Sequence, residues 1–284
     1  MRLLTGKEVA EHVYAEIRES LAAHPGLVPT LAVILVGDDP SSVTYVASKG
    51  KMCEKLGFGH QDYHLASDTS MEDILALVDR LNKDESVDGI LVQSPLPSTL
   101  DENKVIETID PKKDVDGFHP VNVGRTLIGI PAMVSCTPFG VMEMLDFYGI
   151  PTEGRHVVIV GRSNIVGKPL ASLLIQKGRD ATVTLCHSRT RDLRAITTSA
   201  DILMVAVGKP GFIGADMVKD GAVVFDIGVN RVPDPTAKKG YRVVGDVDFD
   251  AVAPKCEAIT PVPKGVGVMT IAMLMHNTLK AALL

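Results

Sequence analysis

Apolar residues recur along the chain with two alternating kinds of spacing. Val9, Val13, Ile17 and Leu21 fall at helix spacing, which predicts a helix near residues 6–23. LAVILVG (31–37) is an unbroken apolar run of strand length, the mark of a strand buried on both faces. A helix is expected from about Ser42 to Leu56, with Ser41 or Ser42 as its N-cap. HQDYHLA reads as a short strand and MEDILALVDRLN (71–82) as an amphipathic helix. DGILVQ (88–93) reads as another buried strand, stopped by SPLP.

A second series starts near residue 155. HVVIVG (156–161) is a predicted strand, and GKPLASLLIQKG a predicted helix closed by Gly178. ATVTLCH (181–187), DILMVAV (201–207) and AVVFDIG (222–228) follow as strands, and VGVMTIAMLMHNTLKAALL as a last apolar helix. Strands joined by helices in this rhythm predict parallel βαβ units. The fold expected is therefore α/β, with two domains, which 284 residues accommodate comfortably. The boundary is placed around 136–150, giving residues 1–140 and 141–267. The last helix has no strand after it to pair with, so residues 268–284 are expected to pack back on the first domain.

Composition narrows the classes. Hydrophobic residues make up 45% of the chain, enough to bury a sizeable core. The net charge of −6, with no block of Lys and Arg, argues against nucleic acid as a partner. The longest apolar strand-like runs are too short to span a bilayer, and MRLLTGKEVAEHV reaches charge too early for a signal peptide. Cys53, Cys136, Cys186 and Cys256 are scattered, without Cys-x-x-Cys or zinc spacing, so free thiols in a reducing cytoplasm are expected and no metal site.

The run HVVIVGRSNIVGKPL is strand, polar turn and helix. A helix N-terminus with nearby glycines suits pyrophosphate, although Gly161 and Gly167 do not form the strict G-x-G-x-x-G pattern. The reading is a dinucleotide turn or an ordinary βα loop. The following strand ends CHSRTRD, without the early acidic residue that accepts from a ribose 2′-hydroxyl. Ser188 and Arg189 suit a 2′-phosphate instead, which favours NADP over NAD, unless the arginines only meet solvent. In YVASK, Tyr45 and Lys49 share one helix face, apart from Val43, Ala47 and Gly50; that face meets either solvent or a cleft. Tyr-x-x-x-Lys is also the signature of short-chain dehydrogenases, but there the nucleotide turn precedes the pair, whereas here it follows.

DGILVQSPLP, KKDVDGFHPVNVGR, CTPFG, VGRSNIVGKP, DIGVNR, GDVDF and TPVPKGVGVMT occur in this order. Together they resemble the bifunctional methylenetetrahydrofolate dehydrogenase/methenyltetrahydrofolate cyclohydrolase family, from the first helix to the last. The resemblance implies a folate-binding catalytic domain followed by a Rossmann-like NADP domain, and a homodimer joined through the NADP domains. It implies oxidation of methylene-tetrahydrofolate with NADP, then hydrolysis of the methenyl product to formyl-tetrahydrofolate. It makes Lys49 the central catalytic residue, with Tyr45 against the pterin ring and Gln93 holding Lys49. Asp116 is carried to the pterin's amino-pyrimidine edge, where a carboxylate accepts two N–H bonds; Asp114 is the nearby rival, for which a structural role is favoured. Gly161, Arg162, Ser163, Ser188, Arg189 and Val229 are carried to the cofactor.

The chain departs from the family's usual TPVPGGVGPMT at Lys264 and Val268, and from VQLPLP at Ser94. Competing readings are a shikimate or amino-acid dehydrogenase relative, a folate- or nucleotide-binding protein without turnover, and a dehydrogenase with little cyclohydrolase activity.

Overall fold

The structure is a computed structural model that describes residues 1–237 and 240–284. In chain order the first half contains β1 (Arg2–Leu3), α1 (Gly6–Ala23), β2 (Thr30–Val36), α2 (Pro40–Leu56), β3 (Gly59–Leu65), α3 (Met71–Lys83), β4 (Gly89–Val92), α4 (Glu102–Thr108), α5 (Pro120–Leu127) and α6 (Cys136–Phe147). The second half contains β5 (His156–Val160), α7 (Gly167–Leu174), β6 (Thr182–Cys186), α8 (Leu193–Thr197), β7 (Ile202–Val205) and β8 (Val223–Asp226). There follow β9 (Asn230–Pro233), β10 (Tyr241–Val244), α9 (Phe249–Val252), β11 (Ala258–Ile259) and α10 (Met269–Ala282).

The chain divides into two compact units. One comprises His12–Thr126, Ile130–Cys136 and Ile271–Leu284 and is built on a parallel sheet of order β3-β2-β4. Its core joins Ala32 and Ile34 of β2 and Ile90 of β4 to Ile74, Val78 and Leu81 of α3. β4 is buried along its whole length and β2 nearly so, which is why their sequences are unbroken apolar runs. Most of α10 belongs to this unit, as expected for the last helix.

The other unit comprises Met1–Glu11, Leu127–Gly129 and Thr137–Thr270. Its sheet runs β1-β11-β8-β7-β5-β6, with every pairing parallel. The order reverses at β5, whose neighbours β6 and β7 both come later in the chain. The crevice beyond the carboxyl ends of β5 and β7 is therefore the topological switch point, where open α/β sheets bind ligands. A boundary at residue 140 puts the N-terminus in the first domain. Instead Met1–Glu11 belong to the six-stranded unit, because β1 adds to its edge beside β11.

Two local expectations are corrected. The N-cap of α2 is Asp39, not Ser41 or Ser42: its carboxylate accepts from the Ser42 N–H at 2.8 Å, and Pro40 starts the helix. α7 ends at Leu174, so Gly178 (φ +88°) closes a later turn rather than the helix.

Lys264 takes φ +83°, the left-handed region, and its carbonyl accepts from the Gly6 N–H at 2.9 Å. A Cβ in that region costs about 1–2 kcal/mol. Glycine removes this strain but gives back part of the gain through greater freedom in the unfolded chain. Lys264→Gly is therefore expected to stabilise by about 0.5–1 kcal/mol and raise the melting midpoint by about 1–3 °C. A midpoint lowered in differential scanning fluorimetry would count against strain at this position.

Candidate active site

In the three-stranded unit the tyrosine and lysine of YVASK have different fates. Lys49 is 9% exposed, whereas Tyr45, one turn earlier on α2, is 46% exposed. The lysine alone is turned into the protein. Its Nζ donates to Gln93 Oε1 at 2.9 Å. Gln93 follows directly on β4, where its backbone N–H donates to the Ile34 carbonyl at 2.8 Å. Its Nε2 donates to the Ser94 carbonyl at 2.7 Å, which leaves the amide oxygen for Lys49. Strand end, amide and lysine thus form one fixed chain. Ser94, where leucine is usual, donates its hydroxyl to Glu102 at 2.5 Å. The substitution is absorbed by a local hydrogen bond.

Burial pulls the Lys49 ammonium below the ordinary lysine range, against the opposing influence of Asp116 and Cys136. Burial likewise pushes the Asp116 carboxyl up to about 6; Lys49 lowers it and Asp114 raises it. These groups therefore sense one another in a poorly hydrated setting, which brings lysine and carboxyl towards neutral pH from opposite sides. Asp114 is 1% exposed and accepts from Phe118 N–H at 3.2 Å, His119 N–H at 2.8 Å and Asn122 Nδ2 at 2.9 Å. Its oxygens are committed to shaping the turn after Asp116. Cys136 opens α6, and burial first, then Asp116, hold its thiol well above the ordinary range. It is a neutral thiol facing the same charges, a neighbour that cysteine spacing does not reveal although it lies in the CTPFG motif.

In the six-stranded unit a cleft of about 320 Å³ opens at the switch point. It is lined by Gly161 and Arg162 after β5, His187, Ser188 and Thr190 after β6, and Ala206, Val207 and Lys209 after β7, with Phe212 alongside. Gly161 has φ +126°, and a Cβ there would collide with the Ala206 carbonyl. A Cβ at Gly167 would collide with the Gly161 carbonyl, so the helix start can close on the turn only as glycine. Ser163 Oγ accepts from the Val166 N–H at 3.1 Å and shapes the turn from within. This narrow backbone cradle, with Arg162 and Lys209 at its rim, fits the pyrophosphate and phosphate groups of a dinucleotide.

Three of the residues carried to the cofactor, Ser163, Arg189 and Val229, are not among those that line this cleft. Val229 stands exposed beyond β8, close to Gly267, and is not on the wall of this cleft. The Arg189 side chain is exposed beside the cleft rather than lining it; its backbone N–H donates to His187 Nδ1 at 3.1 Å.

Two further residues matter that helix and strand spacing does not single out. Lys209 brings positive charge to the cleft. Asp246, fully buried, accepts from the N–H groups of Val207, Gly208 and Lys209 at 2.6, 2.9 and 2.8 Å, and from Asn230 Nδ2 at 2.8 Å. It holds the β7 loop in place. The signal lies in the GDVDF motif.

Residues 4–116 match the catalytic domain of the tetrahydrofolate dehydrogenase/cyclohydrolase family, and residues 135–284 its NAD(P)-binding domain. Bifunctional protein FolD from Porphyromonas gingivalis is 54% identical, over 99% of this chain and 97% of its own. The crystal structure of the bifunctional FolD methylenetetrahydrofolate dehydrogenase/cyclohydrolase from Campylobacter jejuni superposes with a TM-score of 0.93 at 47% identity, covering 99% of this chain and 98% of that one. The FolD of Trypanosoma brucei, solved in complex with NADP cofactor and an inhibitor, gives a TM-score of 0.93 at 38% identity, with 99% and 96% covered.

Proposed function

The chain belongs to the tetrahydrofolate dehydrogenase/cyclohydrolase family, and from that premise we propose how its own residues carry two reactions. The protein oxidises 5,10-methylene-tetrahydrofolate to the 5,10-methenyl form with NADP, and hydrolyses that product to 10-formyl-tetrahydrofolate. The observation that carries the residue assignment is the buried Lys49 held by Gln93 at 2.9 Å within the influence of Asp116.

Asp116 accepts the N–H groups of the pterin's amino-pyrimidine edge, and the exposed Tyr45 supplies a ring for stacking. Gly161, Arg162, Ser163, Ser188 and Lys209 hold the dinucleotide, with Arg189 reaching it from outside the cleft wall. Bound NADP supplies the hydride acceptor for the methylene carbon. In the hydrolysis, water adds to the cationic methenyl carbon and loses a proton. The bond from that carbon to N5 then breaks as the new hydroxyl gives up its own proton and becomes the formyl carbonyl, and N5 takes up a proton, so one water is consumed and one net proton released. Lys49 is the group able to carry these protons, because burial brings its ammonium closer to neutral pH than a solvated lysine's. Gln93 keeps Nζ at a fixed place while it does so.

Purified protein, methylene-tetrahydrofolate and NADP, followed by ultraviolet absorbance with NAD in parallel, test this reading. The expected result is NADPH formation without lasting methenyl product. Persistent methenyl product would reduce the protein to a dehydrogenase. No reduction with either nucleotide would overturn the reading.

The acidity of Asp116 gives a second test. Its carboxyl, near 6, is ionised at pH 7.5 and loses its charge as pH falls through that value. If only the carboxylate binds the pterin edge, KM for methylene-tetrahydrofolate rises about tenfold between pH 7 and pH 5. A KM that stays flat or falls towards acid would remove Asp116 from that role.

The four cysteines are all free and buried, which supports a reducing cytoplasm. β9 and β10 pair antiparallel with each other, in a two-stranded sheet separate from the six-stranded one. Among the described residues neither strand of this ribbon pairs with a third, and such open backbone edges support a homodimer joined through the cofactor-binding unit, which analytical ultracentrifugation would test.

A further inference from the structure

Asp116 sits on a loop that another part of its own unit holds from behind. Asn277, on α10, is fully buried. Its Nδ2 donates to the Val115 carbonyl at 2.8 Å and to the Val134 carbonyl at 2.9 Å. The same nitrogen lies 3.7 Å from Cys136 Sγ, and that sulfur donates to the Val115 carbonyl at 3.4 Å. Gly117, on the far side of Asp116, has φ +72°, and a Cβ there would run into the backbone of Val134 and Ser135. The segment before Cys136 and the segment carrying Asp116 are thus pressed together and share one donor group. Less than a turn further along α10, Lys280 Nζ donates to the Ala132 carbonyl at 2.7 Å, so α10 grips the 130–136 segment twice. Asn277 alone of the two reaches across to the Asp116 loop.

The chemistry explains why this residue is an amide. Two carbonyl oxygens, one buried and one part-buried, face one point, and a single NH2 group donates to both. An apolar side chain would take this donor from the Val134 carbonyl and leave the Val115 carbonyl with the Cys136 thiol.

We propose that Asn277 is a positioning residue for folate binding: by fixing the Val115 carbonyl it fixes the direction in which the next residue, Asp116, presents its carboxylate. The inference rests on the reading of Asp116 as the group on the pterin edge. It acts through the loop and requires no contact between Asn277 and substrate.

The test compares Asp116→Asn, Asn277→Leu and Asn277→Ser, with KM for methylene-tetrahydrofolate, KM for NADP, kcat and melting midpoint measured for each. Asn277→Leu is expected to raise the folate KM about tenfold, leave the NADP KM within about twofold and lower kcat less than about threefold. Asn277→Ser keeps one donor and should raise the folate KM less, by about threefold; it carries the test if the leucine variant does not fold. If Asp116→Asn raises the folate KM and neither Asn277 variant does, the positioning role is overturned. A parallel rise in both KM values, tracking a fall in the midpoint, overturns it as well and makes Asn277 a stability residue. If Asp116→Asn leaves the folate KM unchanged, the reading of Asp116 fails first and takes the inference with it.

Discussion

Lys49→Met is expected to abolish hydrolysis of methenyl-tetrahydrofolate while leaving the fold intact. Methionine is close to lysine in length and tolerates the 9% exposure of this site, so packing on α2 changes little. What disappears is the one group held by Gln93 that can give and take a proton. General acid–base assistance contributes about 10²–10⁴-fold, so the hydrolytic rate should fall by about 10³-fold. NADPH formation should fall less, because hydride transfer needs positioning more than proton movement. A second variant separates charge from proton transfer. Lys49→Arg keeps a cation, but a guanidinium does not deprotonate in a protein, and it should lose hydrolysis as well. Decay of the methenyl absorbance measures both. Hydrolysis near the wild-type rate in Lys49→Met would remove Lys49 from the chemistry, and wild-type hydrolysis in Lys49→Arg would reduce its role to charge.

The long elements were legible because each buries a continuous or periodic apolar surface. β2, β5, β7 and β8 are covered on both faces along all or nearly all of their lengths, which an unbroken run such as LAVILVG or HVVIVG announces. The elements that went unseen lack such a pattern. β1 and β11 have two residues each, too few to show a period, and they exist because β11 pairs with β8 and β1 with β11. β9 carries a proline and alternates between exposed and half-buried residues, so neither run length nor hydrophobicity marks it. The cap of α2 was misplaced for a local reason. Asp39 and the two serines are all good capping residues, and only Pro40, which favours the first helical position, decides for Asp39.

The site was legible unevenly. Helix geometry put Tyr45 and Lys49 on one face but left open where that face points, since the answer depends on where β4 ends and Gln93 begins. The structure divides the pair between the interior and the exposed surface. Glycine chemistry pointed to the turn at Gly161, which lines the cleft at the switch point, even though the strict fingerprint is absent. Residues that act through backbone carbonyls or N–H groups were invisible to spacing. Asp246 organises three consecutive N–H groups, and Asn277 two carbonyls, over separations of 37 to 39 and of 143 to 162 residues. No periodicity links such positions. Val229 follows a strand end in a recognisable motif and stands exposed beyond β8.

Gly161→Ala should separate the two activities from the opposite side. The position takes φ +126°, which an L side chain rarely adopts, and the new Cβ would be driven into the Ala206 carbonyl. Neither partner yields cheaply, because Gly161 ends one ladder and Ala206 the next: the Gly161 N–H donates to Cys186 O at 3.0 Å and the Ala206 N–H to Val160 O at 2.8 Å. Relief therefore requires the turn itself to move, and this turn lines the dinucleotide cleft. Strain of about 1–3 kcal/mol, set against dinucleotide binding, corresponds to a loss of up to about 100-fold in NADP affinity. NADPH formation at limiting NADP should fall by that factor, and fluorescence titration with NADPH should show the same loss. Hydrolysis of added methenyl-tetrahydrofolate should stay within about threefold, because Lys49, Gln93 and Asp116 all belong to the other compact unit. Equal loss of both activities would mean that the turn supports the folate chemistry as well, and unchanged NADPH affinity would mean that the dinucleotide does not use this turn. Set beside Lys49→Met, the expected pattern is reciprocal: one variant loses chiefly hydrolysis and the other chiefly oxidation. A single failed fold cannot produce that result, because unfolding removes both activities together.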